Sequence, residues 1–262
     1  MLADELVGIH QDSRLVPPFT ERYLGLTPQA GYAAARKLHE HRLGQGWKPV
    51  GRKIGFTNRT LWDRYGVHEP MWGTVYDRTL IQAEKDRASV SLAGLVQPRV
   101  EPEICFKLKK APRGVEPAEL LACIEWMAHS CEIVQCHHPD WKVTIADCTA
   151  DNGLHGRLVV GTPVPVKDVA GLAEKLPLAE ARLFKGDRLV DKGVGANVLG
   201  SPLLALAHLV NLLSRQPEAP PLTAGEVVTT GVLTDAHPVA AGEAWHTELA
   251  GLPLKGLRIS FE

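Results

Sequence analysis

Residues 100–108 read VEPEICFKL, and apolar and polar side chains alternate along the whole stretch. A period of two predicts a β-strand that turns one face toward a core. Glu101 and Glu103 then share the other face, about 6.6 Å apart, and can converge on one hard cation. The same spacing also fits the polar face of a half-exposed strand, because a Glu-x-Glu pair is a weak motif.

A third carboxylate, Glu132, could complete a metal site with this pair. The apolar pattern predicts a helix over residues 117–131. Glu132 follows that helix and opens the apolar pair Ile133-Val134, where a strand could return beside the first. Three carboxylates with few or no imidazoles favour Mg²⁺ or Mn²⁺ over Zn²⁺.

Lys53 is the second candidate functional group. It lies in the strand-like segment GRKIG (51–55), with a glycine on each side. If it were removed from water, such a lysine could donate a proton or anchor an anion. Taken alone, the pattern is also typical of a solvated lysine on a strand.

The rest of the chain indicates an α+β protein. Thr27 is a plausible N-cap that precedes a proline at the first helical position, and Ser201 precedes the clearest helix. Helical patterns come first, and short strands and turns follow. We therefore expect a mostly helical region over residues 1–72 and a β-rich catalytic domain over 73–262.

Composition excludes several classes of function. The 262 residues carry 29 Lys and Arg against 30 Asp and Glu, a net charge of −1, so no basic excess indicates nucleic acid or an anionic membrane as a partner. No stretch approaches 18 consecutive apolar residues, and acids stand near the N-terminus where a signal peptide would carry Lys or Arg. Five cysteines without a C-x-x-C pair are not a disulfide framework. We expect a cytoplasmic protein.

A zinc site is the less favoured alternative. Cys131, Cys136, His137 and His138 lie close together in the sequence, but their spacings match none of the usual zinc patterns. No G-x-S-x-G motif provides a serine nucleophile either. The carboxylates and Lys53 therefore remain the main candidates.

Six stretches, taken together, resemble the hydratase/decarboxylase branch of the fumarylacetoacetate hydrolase superfamily. They are GRKIGFT (51–57), YGVHEPMWGTVYD (65–77), QPRVEPEICFKL (97–108), EIVQCHHPDWKVTIADCTADN (132–152), VLGSPLLALAHLVNLL (198–213) and TAGEVVTTGVLT (223–234). They follow the family's order at comparable spacing. The resemblance implies a mixed β-sandwich roll after a small helical region, and a homo-oligomer or a complex with a related subunit.

The resemblance also implies roles for individual residues. The implied ligands of Mg²⁺ (or Mn²⁺) are Glu101, Glu103 and Glu132, and the implied catalytic lysine is Lys53. Asn152 and Thr230 match positions near the substrate, where a backbone-bracing role is equally possible.

One segment departs from the family's pattern. The family's hydratases read E-P-D-Y-G, with an aspartate that assists proton transfer or water, whereas this chain has Met71 at that position. An aliphatic residue there is typical of the family's decarboxylases, although the GRKIG and QPR segments are closer to the hydratases. Asp77 is a candidate replacement for the missing acid. Trp72 could line an apolar substrate pocket or fill the core.

The implied activity is that of a Mg²⁺-dependent lyase. It would add water to a 2-oxo-4-enoate (2-hydroxy-2,4-dienoate), through an enolate, to give a 4-hydroxy-2-oxo acid, as in the catabolism of aromatic compounds. The alternative is a decarboxylase of a 2-oxo-3-enedioate such as 4-oxalocrotonate, since the same electron sink serves both reactions. An acylpyruvate hydrolase is a third possibility, but it needs a Glu–His pair, and the context around Glu40 is wrong for one. A degenerate partner subunit is the fourth, disfavoured by the intact Lys53 and glutamates.

Overall fold

Two long neighbouring strands, β5 (Arg99–Leu108) and β6 (Ile124–Val134), form the middle of the larger sheet. The structure is a computed structural model that describes residues 2–59, 62–65 and 67–262. The two strands pair antiparallel along their length, with Val100 opposite Ile133. This pair positions most of the residues discussed below.

The described strands form two mixed sheets. The larger has the order β2-β1-β11-β5-β6-β7-β3, with β12 beside β5 and β8 beside β6, and the smaller has the order β10-β9-β13-β14-β4. The other strands are β1 (Pro49–Gly55), β2 (Met71–Tyr76), β3 (Leu80–Gln82), β4 (Arg87–Val90), β7 (His155–Val160), β8 (Val164–Pro165), β9 (Glu180–Lys185), β10 (Arg188–Val194), β11 (Val227–Thr229), β12 (His237–Pro238), β13 (Ala244–Ala250) and β14 (Arg258–Phe261). Val100 and Ile133 of one sheet and Trp245 and Phe261 of the other share one buried cluster. The α+β sandwich expected from the sequence is confirmed.

Helices flank the sheets. They are α1 (Leu2–Asp12), α2 (Phe19–Arg22), α3 (Pro28–Gly44), α4 (Trp62–Tyr65), α5 (Pro117–Cys123), α6 (Ile145–Ala150), α7 (Leu172–Lys175) and α8 (Pro202–Ser214). Leu6 of α1, Leu38 of α3 and Ala150 of α6 join one apolar cluster, which attaches the N-terminal helices to the rest of the protein. As the sequence predicts, Thr27 caps α3 by accepting a hydrogen bond from the amide of Ala30 at 3.2 Å. None of the helices described is long and apolar enough to cross a membrane.

The structure differs from the sequence expectations in two elements. The helix expected over residues 117–131 ends at Cys123, and strand β6 begins at the next residue. Most of β6 is buried on both faces, so its apolar residues do not alternate with polar ones. Their spacing therefore resembles that of the apolar face of a helix. In addition, β1 already belongs to the larger sheet, so the boundary expected after residue 72 falls within β2.

Candidate metal centre

The pairing of β5 with β6 brings three carboxylates together. Glu101 stands opposite Glu132, and Glu103 follows two residues along the same face of β5. One oxygen atom from each carboxylate lies within 4.8 Å of the others. Glu103 and Glu132 have no solvent-exposed surface, and Glu101 is partly buried. These side chains are therefore not the polar face of a half-exposed strand, and buried charges of this kind need a compensating partner.

Lys53 supplies one positive charge from β1. Its Nζ lies 3.2 Å from Glu132 Oε2 and donates a hydrogen bond to the carbonyl of Gly153 at 2.9 Å. Burial lowers the pKa of Lys53, but the three neighbouring glutamates raise it more, so the pKa lies above its usual value. Lys53 is therefore an ammonium group at neutral pH.

The three carboxylates have displaced pKa values. Burial raises the pKa of Glu101 to about 7 against the opposing effect of Lys53. Burial, together with repulsion from the other two carboxylates, raises the pKa of Glu103 well above its usual range. Burial also acts to raise the pKa of Glu132, but Lys53 and His155 hold it below its usual value. One ammonium does not balance three carboxylates, and a divalent cation would supply the missing positive charge.

Neighbouring groups hold one oxygen of Glu103 and one of Glu132. Glu103 Oε2 accepts hydrogen bonds from the amide of Gly231, at 2.8 Å, and from the hydroxyl of Thr229. Glu132 Oε1 lies 2.8 Å from Nδ1 of His155. Of the other two oxygens, Glu103 Oε1 is buried without a hydrogen-bond partner, and Glu132 Oε2 is buried beside Nζ of Lys53. Oriented carboxylates whose oxygens converge in this way are the donor set that suits Mg²⁺ or Mn²⁺, so the residues fit such an ion.

An apolar pocket adjoins these charged groups. Besides Lys53 and Glu101, its lining includes Phe56, Met71, Val134, Trp141, Leu154 and Val232. Arg99 also lines it, two residues before Glu101 on the same face of β5, with its guanidinium 4.2 Å from the centre of the Trp141 ring. The pocket thus has the charged groups Glu101 and Lys53, apolar walls, and a second cation, Arg99.

The structure separates three candidates that lie in β2 or directly after it. Met71 lines the pocket with Lys53. Trp72 faces the opposite side of the strand, where it stacks on Tyr32 at 5.4 Å, because successive strand residues point to opposite faces. Asp77 is exposed beyond the far end of β2, roughly 20 Å along the strand from Met71 at about 3.3 Å per residue. The structure therefore brings neither Trp72 nor Asp77 into this pocket.

Asn152 and Thr230 contact the backbone. The Asn152 side chain accepts a hydrogen bond from the amide of Thr74 at 2.9 Å and donates one to its carbonyl at 3.0 Å. Thr230 donates its hydroxyl to the carbonyl of Ile104 at 2.7 Å. Both side chains brace the strands around the site, the second of the two roles considered from the sequence.

A left-handed turn presents the carbonyl that binds Lys53. Asn152, Gly153 and Leu154 have φ values of 49°, 65° and 62°. Residues other than glycine seldom adopt this backbone conformation. A Cβ atom on Gly153 would lie 3.1 Å from the amide nitrogen of Gly73, so this position needs glycine. The turn fixes the direction in which the Lys53 ammonium points.

Sequence reasoning missed several residues of the site. Thr229 contacts Glu103 directly, although only its neighbour Thr230 was a candidate. His155 orients Glu132 and is itself held by Thr79 at 2.8 Å, a chain of contacts with no sequence signal. Arg99 stands in the QPR segment, which could have indicated it because it precedes Glu101 by two residues.

The chain is similar in sequence to several known enzymes. No protein-family model matches the sequence. The chain is 35% identical to a 2-hydroxyhexa-2,4-dienoate hydratase of Comamonas testosteroni over 92% of this chain and 90% of the relative. It is also 35% identical to a 4-oxalocrotonate decarboxylase of a Pseudomonas species over 83% and 81% of the two chains.

Solved structures extend the similarity. A 4-oxalocrotonate decarboxylase from Pseudomonas putida G7, complexed with magnesium and adipate, has a TM-score of 0.89 at 25% identity and covers 100% of this chain and 96% of its own. A fumarylpyruvate hydrolase from Pseudomonas aeruginosa, with Mn²⁺ and pyruvate, has a TM-score of 0.61 at 11% identity over 80% and 88% of the two chains, and it shares the fold alone. The chain belongs to the family of the 2-keto-4-pentenoate hydratases and 4-oxalocrotonate decarboxylases.

Proposed function

We propose that this protein is a metal-dependent lyase that adds water to a 2-hydroxy-2,4-dienoate and yields a 4-hydroxy-2-oxo acid. The observation that carries the proposal is the convergence of three carboxylates beside the buried Lys53 at one end of an apolar pocket. Relatives named as hydratases of 2-hydroxyhexa-2,4-dienoate and 2-keto-4-pentenoate support the substrate class.

The carboxylates of Glu101, Glu103 and Glu132 would hold Mg²⁺ or Mn²⁺. When bound, the ion supplies a Lewis acid that polarises the 2-oxo group of the substrate. The protein contributes preorganisation, because Thr229 fixes Glu103 and His155 fixes Glu132 before any substrate arrives.

Lys53 would act as a fixed positive charge and as a proton donor. Its contacts with Glu132 and the Gly153 carbonyl hold the ammonium in place. There it stabilises the negative charge that develops on the substrate's 2-oxo oxygen. Its raised pKa keeps Lys53 protonated, so it can pass a proton toward carbon 5 but cannot act as a base; because a raised pKa also makes it a weaker acid, its fixed charge is the larger contribution. Met71 and the other apolar walls enclose the carbon chain.

One observation favours a second function, decarboxylation of a 2-oxo-3-enedioate. Within the described part of the pocket lining, Glu101 is the only carboxylate, and Met71 stands where the family's hydratases have an acid. Arg99 offers a cation to which the second carboxylate of such a diacid could bind. A six-carbon diacid, with bonds of about 1.5 Å, spans roughly the separation of alternate strand residues.

The test is an assay of the purified protein with Mg²⁺ on two substrates. We expect 2-hydroxypenta-2,4-dienoate to lose its dienol absorbance and form a 4-hydroxy-2-oxo acid, and EDTA to stop the reaction. Release of CO₂ from 2-oxohex-3-enedioate without hydration of the monoacid would replace the hydratase proposal by the decarboxylase. No reaction with either substrate would contradict both.

Arg99→Met, compared with Arg87→Met on the exposed face of β4, measures what Arg99 contributes. If Arg99 binds a distal carboxylate, the first variant raises KM for the diacid by about tenfold or more and leaves the monoacid unaffected, because only the diacid has the group. Equal effects on both substrates would remove Arg99 from that role.

We further propose that the protein is a cytoplasmic homo-oligomer. The five cysteines are all free and buried, as is usual for proteins of reducing compartments. The family resemblance supports the oligomer. Size-exclusion chromatography with light scattering tests it, and a monomer at micromolar concentration would contradict it.

A further inference from the structure

A second cavity, of about 150 Å³, lies behind the β1–β2 pair, on the face opposite to Lys53. By the measure on which one water needs about 10–15 Å³, it has room for a small organic molecule. We propose that this cavity binds a small planar carboxylate, independently of the metal centre. None of the steps proposed above uses it.

Arg52 supplies the group that would recognise the carboxylate. Its side chain lines the cavity and is only 7% exposed. Nη1 donates to Glu226 Oε2 at 2.8 Å, whereas Nε is buried without a partner. Nη2 makes no hydrogen bond to any residue that the structure describes. The Nε–Nη2 edge of a guanidinium carries two parallel N–H groups, which match the two oxygens of one carboxylate.

The aromatic wall favours a planar ligand. The Trp72 ring lies 5.4 Å from the guanidinium carbon of Arg52 and stacks on Tyr32 with an interplanar angle of 17°. Both rings line the cavity, as does the hydroxyl-bearing Thr149. A flat conjugated or aromatic body can pack on such rings while its carboxylate reaches Arg52.

Charge balance at the cavity permits an added anion. Of the two carboxylates nearby, Glu226 is paired with Arg52, and Glu218 is paired with Arg36 at the edge of the cavity. The Arg36–Glu218 pair joins α3 to the segment that follows α8, and both side chains are exposed. Such surface pairs contribute little and can open to admit a ligand. An entering carboxylate therefore meets no unpaired negative charge among the described residues of the lining.

Benzoate is the probe for this proposal. Isothermal titration of the full chain in EDTA should show one saturable site per chain, because the cavity needs no metal. Benzyl alcohol, which has the ring without the carboxylate, should bind at least tenfold more weakly. Glu103→Gln, which alters the metal centre, should leave benzoate binding unchanged, so the outcome is distinguishable from failure of the proposed lyase activity.

Two variants locate the site. Arg52→Lys keeps a positive charge beside Glu226 but lacks the paired N–H groups, so benzoate binding should weaken by tenfold or more, whereas Arg87→Lys should have no effect. Ala35→Leu fills the cavity from α3 and should abolish binding, and Ala33→Leu on the exposed face of the same helix is its control.

Three results would overturn the proposal. They are the absence of saturable binding in EDTA, binding that appears only with Mg²⁺, and binding that Ala35→Leu leaves intact. The second would place benzoate at the metal centre instead. Because Ala35→Leu does not touch the Arg52–Glu226 pair, it decides the question even if Arg52→Lys fails to fold.

Discussion

Two buried clusters of titratable groups lie on either side of the Asn152–Leu154 turn, and they differ in charge balance. One is the metal-centre cluster, Glu101, Glu103, Glu132 and Lys53. The other, which we call the histidine cluster, consists of His10, Arg42, His137 and Asp151. In both, three possible metal ligands approach within 4.8 Å, so proximity alone does not distinguish them.

The histidine cluster compensates its own charge. Asp151 lies 2.8 Å from Nε2 of His10 and 2.9 Å from Nδ1 of His137, and Arg42 lies 3.2 Å from Nδ1 of His10. Burial lowers the pKa of His10 to about 4, so this ring is neutral. Burial acts to raise the pKa of Asp151, but the two imidazoles hold it well below its usual range. One carboxylate and one guanidinium thus contact the two nitrogens of the same neutral ring.

The metal-centre cluster has three carboxyl groups and one ammonium, and burial together with mutual repulsion raises the pKa values of Glu101 and Glu103. The difference teaches that uncompensated charge, rather than the mere assembly of ligand-type residues, indicates a binding function. The histidine cluster joins α1 and α3 to the turn that contacts Lys53, which is a structural role.

The largest expected effect is that of Glu103→Gln. Loss of one ligand charge should remove measurable turnover and weaken Mg²⁺ binding by tenfold or more. The thermal midpoint in EDTA should be kept or raised, because a carboxyl group whose pKa is raised on folding destabilises the folded state at neutral pH and glutamine does not. Steady-state assays and titration calorimetry check this, with Glu125→Gln on the exposed side of β6 as control. Unchanged turnover would show that Glu103 is not a ligand of the catalytic metal, and the two clusters would then not differ in function.

Lys53→Ala should reduce kcat by roughly 10²–10⁴, the range for a positioned acid or base. Mg²⁺ binding should persist, because all three carboxylates remain. The check is the rate of the variant at saturating Mg²⁺, beside that of Lys109→Ala, which alters an exposed lysine. Near-native activity would exclude Lys53 from the mechanism.

Asp151→Asn should act in the opposite direction from Glu103→Gln on stability. It removes the buried charge to which His10 and His137 are hydrogen-bonded, and hydrogen bonds to a charged group are typically worth about 1.5–3 kcal/mol of unfolding free energy each. Urea denaturation in EDTA measures the loss, and Asp168→Asn, at an exposed site, is the control. A neutral or stabilising result would show that the histidine cluster also carries excess charge.

The smallest effect is a pH dependence from His10. Its folded-state pKa of about 4 lies below the unfolded value near 6.5, so the folded protein binds fewer protons between these values. Stability is therefore lost as pH falls from 6.5 to 4, by up to about 3 kcal/mol. His10→Gln should lose less over this window, and His68→Gln, at an exposed histidine, should follow the wild type. Denaturation at pH 7, 5.5 and 4.5 checks it, and identical slopes would contradict it.

Much of the fold could be predicted because the signals are local. Alternation predicts β5 and places Glu101 and Glu103 on one face, and Thr27 indicates the start of α3. β6 could not be predicted, since a strand buried on both faces has no polar side to reveal its period. For the same reason, the helix expected over 117–131 was predicted eight residues too long, since it ends at Cys123.

By itself, the sequence determined the candidate ligands, Lys53 and the family, because each rests on residue type and on order along the chain. Only the tertiary structure decided that Glu101 and Glu132 are neighbours across two strands. It also decided that Thr229 and His155 orient the carboxylates. Finally, it decided that Met71 rather than Trp72 lines the pocket. The physical reason is that a strand's register and the burial of its faces depend on partners distant in the sequence. The charge of a carboxylate is likewise fixed by its surroundings.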